Sequence, residues 1–467
     1  MAIAARIARC PLLAFWNARF LVFLGALGAW SILHAQPGAL DLGFNPGAGV
    51  DQSIYSIAVQ SDGKILIGGD FSTFSGTART NVARLDIGGG LDTNFVSSSA
   101  FATNSPSVNA VVLQEDRKVL LGGSFANAVG TNLMRLSTNG AVDLSFAAST
   151  DSAVNSLVVQ TNGSVVIGGF FTNVNGMPRT GIARLNTNAV LDAGFNPTFT
   201  GGFSAVYALA AQSDGKIIVG GSFTNVNGTP TTNLARLNVD GSLDPNFKLA
   251  SIGAESGTPI LYALSVDGQG RVLAGGDFSS FNGAARSNFV RLNSDGALDT
   301  NFNAAAGSDS AVYTIAVQND GKALLGGLFT LLNGTNRNYI GRLNNDGSLD
   351  TTFDSGSGAN YVIYSVALQA DGKVLIGGSF TEFNGTSRRG IARLQNPPRL
   401  VNPLFSNNVF NVSILTLQGK SYILQFNDLL TDNGWTALPA VTGDGTLKTL
   451  TDPSATGVRR FYRVQVQ

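Results

Sequence analysis

The chain of 467 residues holds a single cysteine, Cys10, and a single histidine, His34. Charge is also scarce: 13% of residues are Asp, Glu, Lys or Arg, against about 25% in an average soluble protein. The signs balance, 30 basic residues against 30 acidic, so no electrostatic footprint for nucleic acid is present. The apolar run Phe20 to Leu33 is 14 residues long, short of the about 20 that a spanning helix requires. Apolar residues still make up 44% of the chain, enough to bury a sizeable core and to argue against disorder.

Arg6, Arg9 and Arg19 precede that apolar run, and Leu33-His34-Ala35 ends it before Gln36. This is the charged, apolar and small-residue pattern of a secretory signal peptide over residues 1–35. An uncleaved anchor is the alternative. With cleavage after Ala35 the mature chain has no Cys and no His, and carries 27 positive and 30 negative side chains, a net of −3. A Cys nucleophile, a Ser-His-Asp triad, a His or thiolate zinc site and a disulfide are then excluded. Catalysis would have to run on carboxylates, Tyr, Lys or Arg. A secreted, periplasmic or cell-surface location is expected, with no membrane span after cleavage.

What the chain does have is glycine, 57 residues of it, and repetition. A Gly-Gly-x-Phe motif occurs seven times, ending at Phe71, Phe125, Phe171, Phe223, Phe278, Phe329 and Phe380. An Arg-Leu pair follows each, at Arg84, Arg135, Arg184, Arg236, Arg291, Arg342 and Arg393. The Gly-Gly pairs run from Gly68 to Gly377, a mean period of 309/6 or 51.5 residues. A third motif, Asp-x-x-Phe, follows six of the Arg-Leu pairs, at Asp92, Asp143, Asp192, Asp244, Asp299 and Asp350. Its seventh copy, Asp41 with Phe44, stands ahead of the first unit, and the last unit stops at Gln395 without one.

Each unit reads as four short strands. In the fourth they are Val206 to Gln212, Lys216 to Phe223, Leu234 to Asn238 and Ser242 to Phe247, separated by Asp214-Gly215, Asn227-Gly228 and Asp240-Gly241. Four strands repeated seven times at this period predict an all-β, seven-bladed β-propeller over residues 36–395. The displaced Asp41–Phe44 element would close the ring against the last blade. An open solenoid is the runner-up, and it would need no borrowed strand.

Copies such as Tyr55 to Phe71, "YSIAVQSDGKILIGGDF", and Ile182 to Phe195, "IARLNTNAVLDAGF", resemble delta-60 propeller repeats from about Leu40 to Gln395. The resemblance implies architecture far more than activity. Asn396 to Pro398 reads as a linker. Residues 399–467 read as a small C-terminal β domain of short strands, with Trp435 and Phe461 in its core. The phrases "YILQFNDLLTDNGW" and "RRFYRV" resemble a small β-sandwich module found at the ends of large secreted proteins.

Arg and Asp stand eight positions apart in each unit, as in Arg236 and Asp244. A type I turn closed by a left-handed Gly241 pairs Asn238 with Ser242, Leu237 with Leu243 and Arg236 with Asp244. A two-residue loop would put Asp244 on the wrong face. The reading expects a structural Arg–Asp pair in every blade, with Arg393 meeting Asp41 across the closure. The Gly-Gly pairs would let strands pass close to a neighbouring backbone; no phosphate-binding fingerprint follows them.

Two sets of residues at the start of the inner strands are candidate ligand contacts. Tyr55, Tyr207, Tyr262, Tyr313 and Tyr364 share one position, with Asn109 and Asn155 in the other two blades. Asp51, Asp151 and Asp309 lie just before, with Glu255 nearby. Rings beside carboxylates and amides can stack on and hydrogen-bond a sugar; packing between blades is the plainer reading of the tyrosines. Asn293-x-Asp295-Gly296-x-x-Asp299 superficially resembles a calcium loop. It offers about three side-chain ligands where calcium takes six to eight oxygens. No cofactor and no metal site are therefore expected, with calcium at this loop, or at the similar Asn238 to Asp244 and Asn344 to Asp350, as the alternative.

The leading expectation is a monomeric, secreted, non-catalytic binding or scaffold protein that uses a propeller face for a protein or a glycan. The alternative is a carboxylate-based carbohydrate enzyme at the channel mouth. A third reading is an envelope-attached module displayed through Arg399 to Gln467.

Overall fold

The structure, a computed structural model, describes residues 2–8, 36–97, 101, 106–127, 130–248, 250–255, 257–302, 307–396, 400–416, 420–428, 434–444, 446–455 and 459–466. Cys10, His34 and most of the expected signal segment lie outside them, as do linker residues 397 and 398. The described secondary structure is entirely strand, and no helix is long and apolar enough to cross a membrane.

Seven three-stranded antiparallel sheets repeat along the chain. In the first, strand a is Ile54–Val59, strand b is Ile65–Gly69 and strand c is Val82–Leu85. In the fourth they are Ala205–Ala211, Ile217–Ser222 and Leu234–Leu237. Every strand a touches the strands a of both adjacent blades, and the first touches the seventh. Strands a therefore line the channel of a closed ring, and strands c lie outermost.

The expected fourth strand is a correction. It is a single bridge, Leu237 opposite Leu243 in blade four and Leu85 opposite Leu91 in blade one. The cause is the Asp that follows. Asp244 Oδ1 accepts the Asn246 amide at 2.9 Å, and the Phe247 amide donates to the Asp244 carbonyl at 3.2 Å. Two turn bonds end the strand as soon as it begins. The loop before the bridge has Gly241 at φ +86°, its amide 2.9 Å from the Asn238 carbonyl, and the Asn238 amide donating to Ser242 O at 2.8 Å.

The ring closes with the chain's early residues. Leu40 bridges Leu394, the Asp41 amide donates to the Arg393 carbonyl at 2.7 Å, and the Gln395 amide donates to the Ala39 carbonyl at 2.7 Å.

The two glycines of each pair do different things. A Cβ on Gly68 would come 2.5 Å from Val111 and 2.6 Å from Val108 in the next blade. A Cβ on Gly69 would overlap the carbonyl oxygen of Ser53, the residue just before strand a of its own blade. Both close approaches need a residue without a side chain.

One Arg–Asp–Phe clasp recurs in all seven blades, and Arg84, Arg135, Arg184, Arg236, Arg291 and Arg393 each also donate to a carbonyl of the neighbouring blade. Arg236 Nε lies 2.8 Å from Asp244 Oδ2, its Nη1 donates to the Ser294 carbonyl of the next blade, and its guanidinium sits 4.7 Å over the Phe247 ring. The Arg–Asp distances in the other blades run from 2.7 to 2.9 Å: Arg84–Asp92, Arg135–Asp143, Arg184–Asp192, Arg291–Asp299, Arg342–Asp350 and Arg393–Asp41. Arg393 also donates to Ile87 O and covers the Phe44 ring, so the clasp crosses the closure. Lys64, Lys118, Lys216, Lys322 and Lys373 add a second cation at five of the carboxylates.

Burial alone would raise these carboxyls. At Asp92 that effect is outweighed by Lys64, the Asn94 amide and Arg84, which bring the carboxyl down to about 2. Asp244 is likewise brought to about 2, and Asp41, Asp143, Asp192 and Asp350 are lowered too. A carboxyl lowered on folding contributes stability above its unfolded value near 3.8 and loses it as pH falls through the folded value. The urea midpoint is therefore expected to hold down to about pH 4 and to fall steeply between about pH 4 and pH 2. A midpoint that drops between neutrality and pH 5 and is flat below contradicts this.

The C-terminal residues form a separate compact unit. Leu400–Ser406, Val409–Leu415 and Leu447–Asp452 make one sheet. Ser421–Asn427 and Arg459–Val466 are the centre of the other, and Ala2–Ala8 pairs with Arg459–Val466. Phe410, Tyr422, Leu424 and Tyr462 share its core, and Phe461 is buried. Trp435 is only partly covered, beneath the Arg463 guanidinium at 4.3 Å.

Candidate functional site

Strand a starts with an extra residue. Ile54 pairs with Gly69 and Ser56 with Gly68, so Tyr55 is left over as a bulge. Bulges re-aim the side chain they carry. The same shift brackets Tyr207, Tyr262, Tyr313 and Tyr364. With strands a innermost, the five rings stand at one mouth of the channel, each partly buried.

They touch along an arc, edge to face except for the tilted Tyr313–Tyr364 pair. Tyr207–Tyr262 centroids are 5.3 Å apart, Tyr262–Tyr313 5.1 Å, Tyr313–Tyr364 5.6 Å and Tyr364–Tyr55 5.2 Å. Phe170 extends the arc beyond Tyr207 at 5.3 Å and is 41% exposed. Asn109 and Asn155 hold the same position in blades two and three. Their amides donate to Val154 O and Val206 O at 3.4 and 3.3 Å. The candidate tyrosines thus form one continuous surface and pack across blade boundaries at the same time.

The unspecified residue of Gly-Gly-x-Phe sits at the end of strand b, beside this arc. In blade one it is Asp70, which accepts the Tyr55 hydroxyl at 2.8 Å and the Ser53 amide at 2.7 Å. In blade five it is Asp277. Burial pushes the Tyr262 hydroxyl up to about 12, with Tyr313, Tyr207 and Asp277 adding to the shift. Tyr313 is raised by burial first and then by Tyr364 and Asp277. Asp277 therefore acts on both rings.

Asp277 also lines a cleft of about 400 Å³ between blades five and six, with Glu255, Ser279, Ser287, Asn288 and Asp309. Sequence reasoning passed over Asp70, Asp277 and Phe170 because the motif was read through its fixed letters. Its single variable letter, read down the seven copies, is Asp, Ser, Phe, Ser, Asp, Leu, Ser.

Asp51, Asp151 and Asp309 are brought to a different task. Asp51 accepts the Ser72 and Thr73 amides and the Ser72 hydroxyl; Asp151 does the same for Thr172 and Asn173, and Asp309 for Thr330 and Leu331. Each tethers the small hairpin between strands b and c. All three carboxyls are lowered, because these bonds outweigh the burial that would raise them. In the loop that resembles a calcium site, Asp295 accepts the Ala297 amide and Asp299 takes Arg291. Among the described residues no group of three or more His, Cys, Asp or Glu is placed to hold a metal ion.

A family model described as "Domain of unknown function (DUF5122) beta-propeller" matches seven segments: residues 60–95, 114–146, 160–195, 212–247, 270–302, 318–353 and 369–396. No curated protein is matched. Among solved structures, a Bacteroides fragilis NCTC 9343 protein described as exported is 10% identical, with TM-score 0.33, covering 77% of this chain and 92% of that one. An exo-β-1,3-galactanase from Phanerochaete chrysosporium, solved with galactose, is 10% identical, with TM-score 0.30, covering 80% and 100%. Likeness at that level says nothing of what this chain does. The seven family segments fall one to a blade and span just over half of the chain, which therefore belongs to this β-propeller family of unknown function.

Proposed function

We propose that the chain is an exported, non-catalytic binding protein whose aromatic channel mouth takes up a glycan. The observation that carries this reading is the arc of five tyrosines and Phe170, with neighbouring rings 5.1–5.6 Å apart. Aromatic rings offer flat faces to the apolar side of a sugar, and the Asn109 and Asn155 amides and nearby carboxylates offer hydrogen bonds. Export rests on the arginines and the apolar run Phe20 to Leu33. Catalysis is the weaker reading: a glycosidase needs a carboxyl held protonated by a raised pKa, and Asp51, Asp151 and Asp309 are all lowered.

The test is a titration against a panel of oligosaccharides and polysaccharides, followed by analysis for released sugars. Binding without product is expected, with affinity reduced about tenfold by Tyr262→Ala, the loss of one aromatic contact of about 1 kcal/mol and its buried area. Release of sugars would establish the enzyme reading instead. Selective binding of a protein, with no response to any glycan, would contradict the proposal.

A further inference from the structure

We infer that the glycan is an uncharged chain lying over blades three to six, with sugar faces on Phe170, Phe203 and Tyr207 and sugar hydroxyls bonded to the Tyr207, Tyr262 and Tyr313 phenols. This rests on the glycan reading and adds the position, the contact residues and the charge class of the ligand.

The five tyrosines are not equivalent. The Tyr55 hydroxyl is taken by Asp70 at 2.8 Å. Ser53 and Ser379 meet hydroxyl to hydroxyl at 2.7 Å across the ring closure, beside Tyr55 and Tyr364. That end of the arc is satisfied from within. Among the described residues no hydrogen bond reaches the Tyr207, Tyr262 or Tyr313 hydroxyl, and each of these rings is only partly buried. The letter after Gly-Gly changes in the same sense. It is polar in the blades of Tyr55 and Tyr364, as Asp70 and Ser379. It is the exposed Phe170 against Tyr207 and the exposed Leu328 in the blade of Tyr313.

Phe203 is an independent observation. Four residues before the arc position stand Asp51, Asp151 and Asp309 in blades one, three and six, each tethering a hairpin. Blade four has Phe203 there. Its hairpin is held instead by Phe199–Thr200, which pairs with Asn225–Val226, so Phe203 is released from the structural task. It sits in a tight turn in which Gly201, Gly202 and Ser204 hold positive φ and the Ser204 amide donates to the Gly201 carbonyl at 3.0 Å. The turn rests on the end of strand b, with the Phe203 amide 3.4 Å from the Ser222 hydroxyl. The ring is 62% exposed. Exposed apolar side chains gathered at one mouth mark a binding surface, and a sugar offers such rings its apolar face.

Charge sets the class. Phe203, the three tyrosines and the letters after Gly-Gly in blades three to six, Phe170, Ser222, Asp277 and Leu328, include no cation. A uronate or a sulfate would meet no counter-charge on this strip and one carboxylate of its own sign. A tyrosine hydroxyl both donates to and accepts from a sugar hydroxyl.

The experiment titrates the full chain with three uncharged hexamers, cellohexaose, mannohexaose and laminarihexaose, and with a β-1,4-linked glucuronic acid hexamer that shares the cellohexaose backbone. At least one uncharged hexamer is expected to bind, at least about tenfold more tightly than the uronate. Tyr207→Phe, Tyr262→Phe and Tyr313→Phe should each weaken it about threefold, the loss of one neutral hydrogen bond, and Phe203→Ala about tenfold, all with unchanged urea midpoints. Leu144→Ala, an exposed apolar residue beside the Asp143 clasp, should leave affinity unchanged. Tyr55→Phe checks the placement: Asp70 loses a donor and the urea midpoint falls, and an affinity loss as large as that of the other three overturns the inference. A Phe203→Ala variant of full affinity, silent Tyr→Phe variants at blades four to six, or a tighter-binding uronate each overturn it while the glycan reading stands on Tyr262→Ala. Failure of every hexamer also overturns it, and the oligosaccharide panel then decides the broader reading separately.

Discussion

Arg236→Ala is expected to lower the unfolding free energy by about 3–5 kcal/mol, the cost of stranding a buried partner charge. The Asp244 side chain is 1% exposed and would keep Lys216 and the Asn246 amide but lose its guanidinium. The Ser294 carbonyl of the next blade would lose its donor, and the Phe247 ring its cover. Blade three offers an internal comparison. Asp192 is 36% exposed, and Ser164 stands where five of the blades carry the lysine that joins the clasp. Water can take over there, so Arg184→Ala should cost only about 1 kcal/mol. Arg393→Ala should resemble Arg236→Ala, because Asp41 is 7% exposed and the clasp spans the closure. Urea midpoints of the three variants measure the order. Equal small losses would show that the clasps are decorative.

Gly221→Ala is expected to cost as much, about 3–5 kcal/mol, by a steric route. A Cβ at this position would overlap the Ala205 carbonyl oxygen, and that oxygen belongs to the backbone of strand a. No side chain can swing aside to make room, so the bulge that aims Tyr207 must shift. Gly268→Ala is the control: nothing lies within 4 Å of its added Cβ. It should be neutral in unfolding. The mouth should respond as well, since Tyr207 contacts both Phe170 and Tyr262. A fully stable Gly221→Ala variant would contradict the role given to the second glycine of each pair.

The parts of the fold that repeat were legible before the structure, for a physical reason. A period of about fifty residues with seven copies leaves few ways to bury every sheet face. The eight-residue spacing of Arg236 and Asp244 has one register that puts both on the same face, and the 2.8 Å contact lies in that register. The fourth strand was over-read. Leu243-Asp244 followed by Phe247 alternates like a strand, but Asp two residues before a small or polar residue is equally a turn former, and the Asn246 amide takes that option. Candidate carboxylates were chosen by nearness in sequence to strand a, which could not reveal that Asp51 reaches 21 residues ahead to the Ser72 amide. The mouth itself depends on which side chain a bulge re-aims. Such a bulge has no letter of its own; the opposing glycine pair is its trace in the sequence.

Ring closure can be tested directly by a disulfide across the last bridge. The Asp41–Arg393 and Gln395–Ala39 hydrogen bonds flank Leu40 and Leu394, which makes them a non-hydrogen-bonded pair. Such pairs have Cα atoms about 4.5 Å apart, within disulfide reach. In a Cys10→Ser background, Leu40→Cys with Leu394→Cys should oxidise in the folded protein, and digestion should release the two peptides as one linked mass. Two free thiols, both reactive under native conditions, would mean that the early strand does not lie against the last blade and that the ring is open.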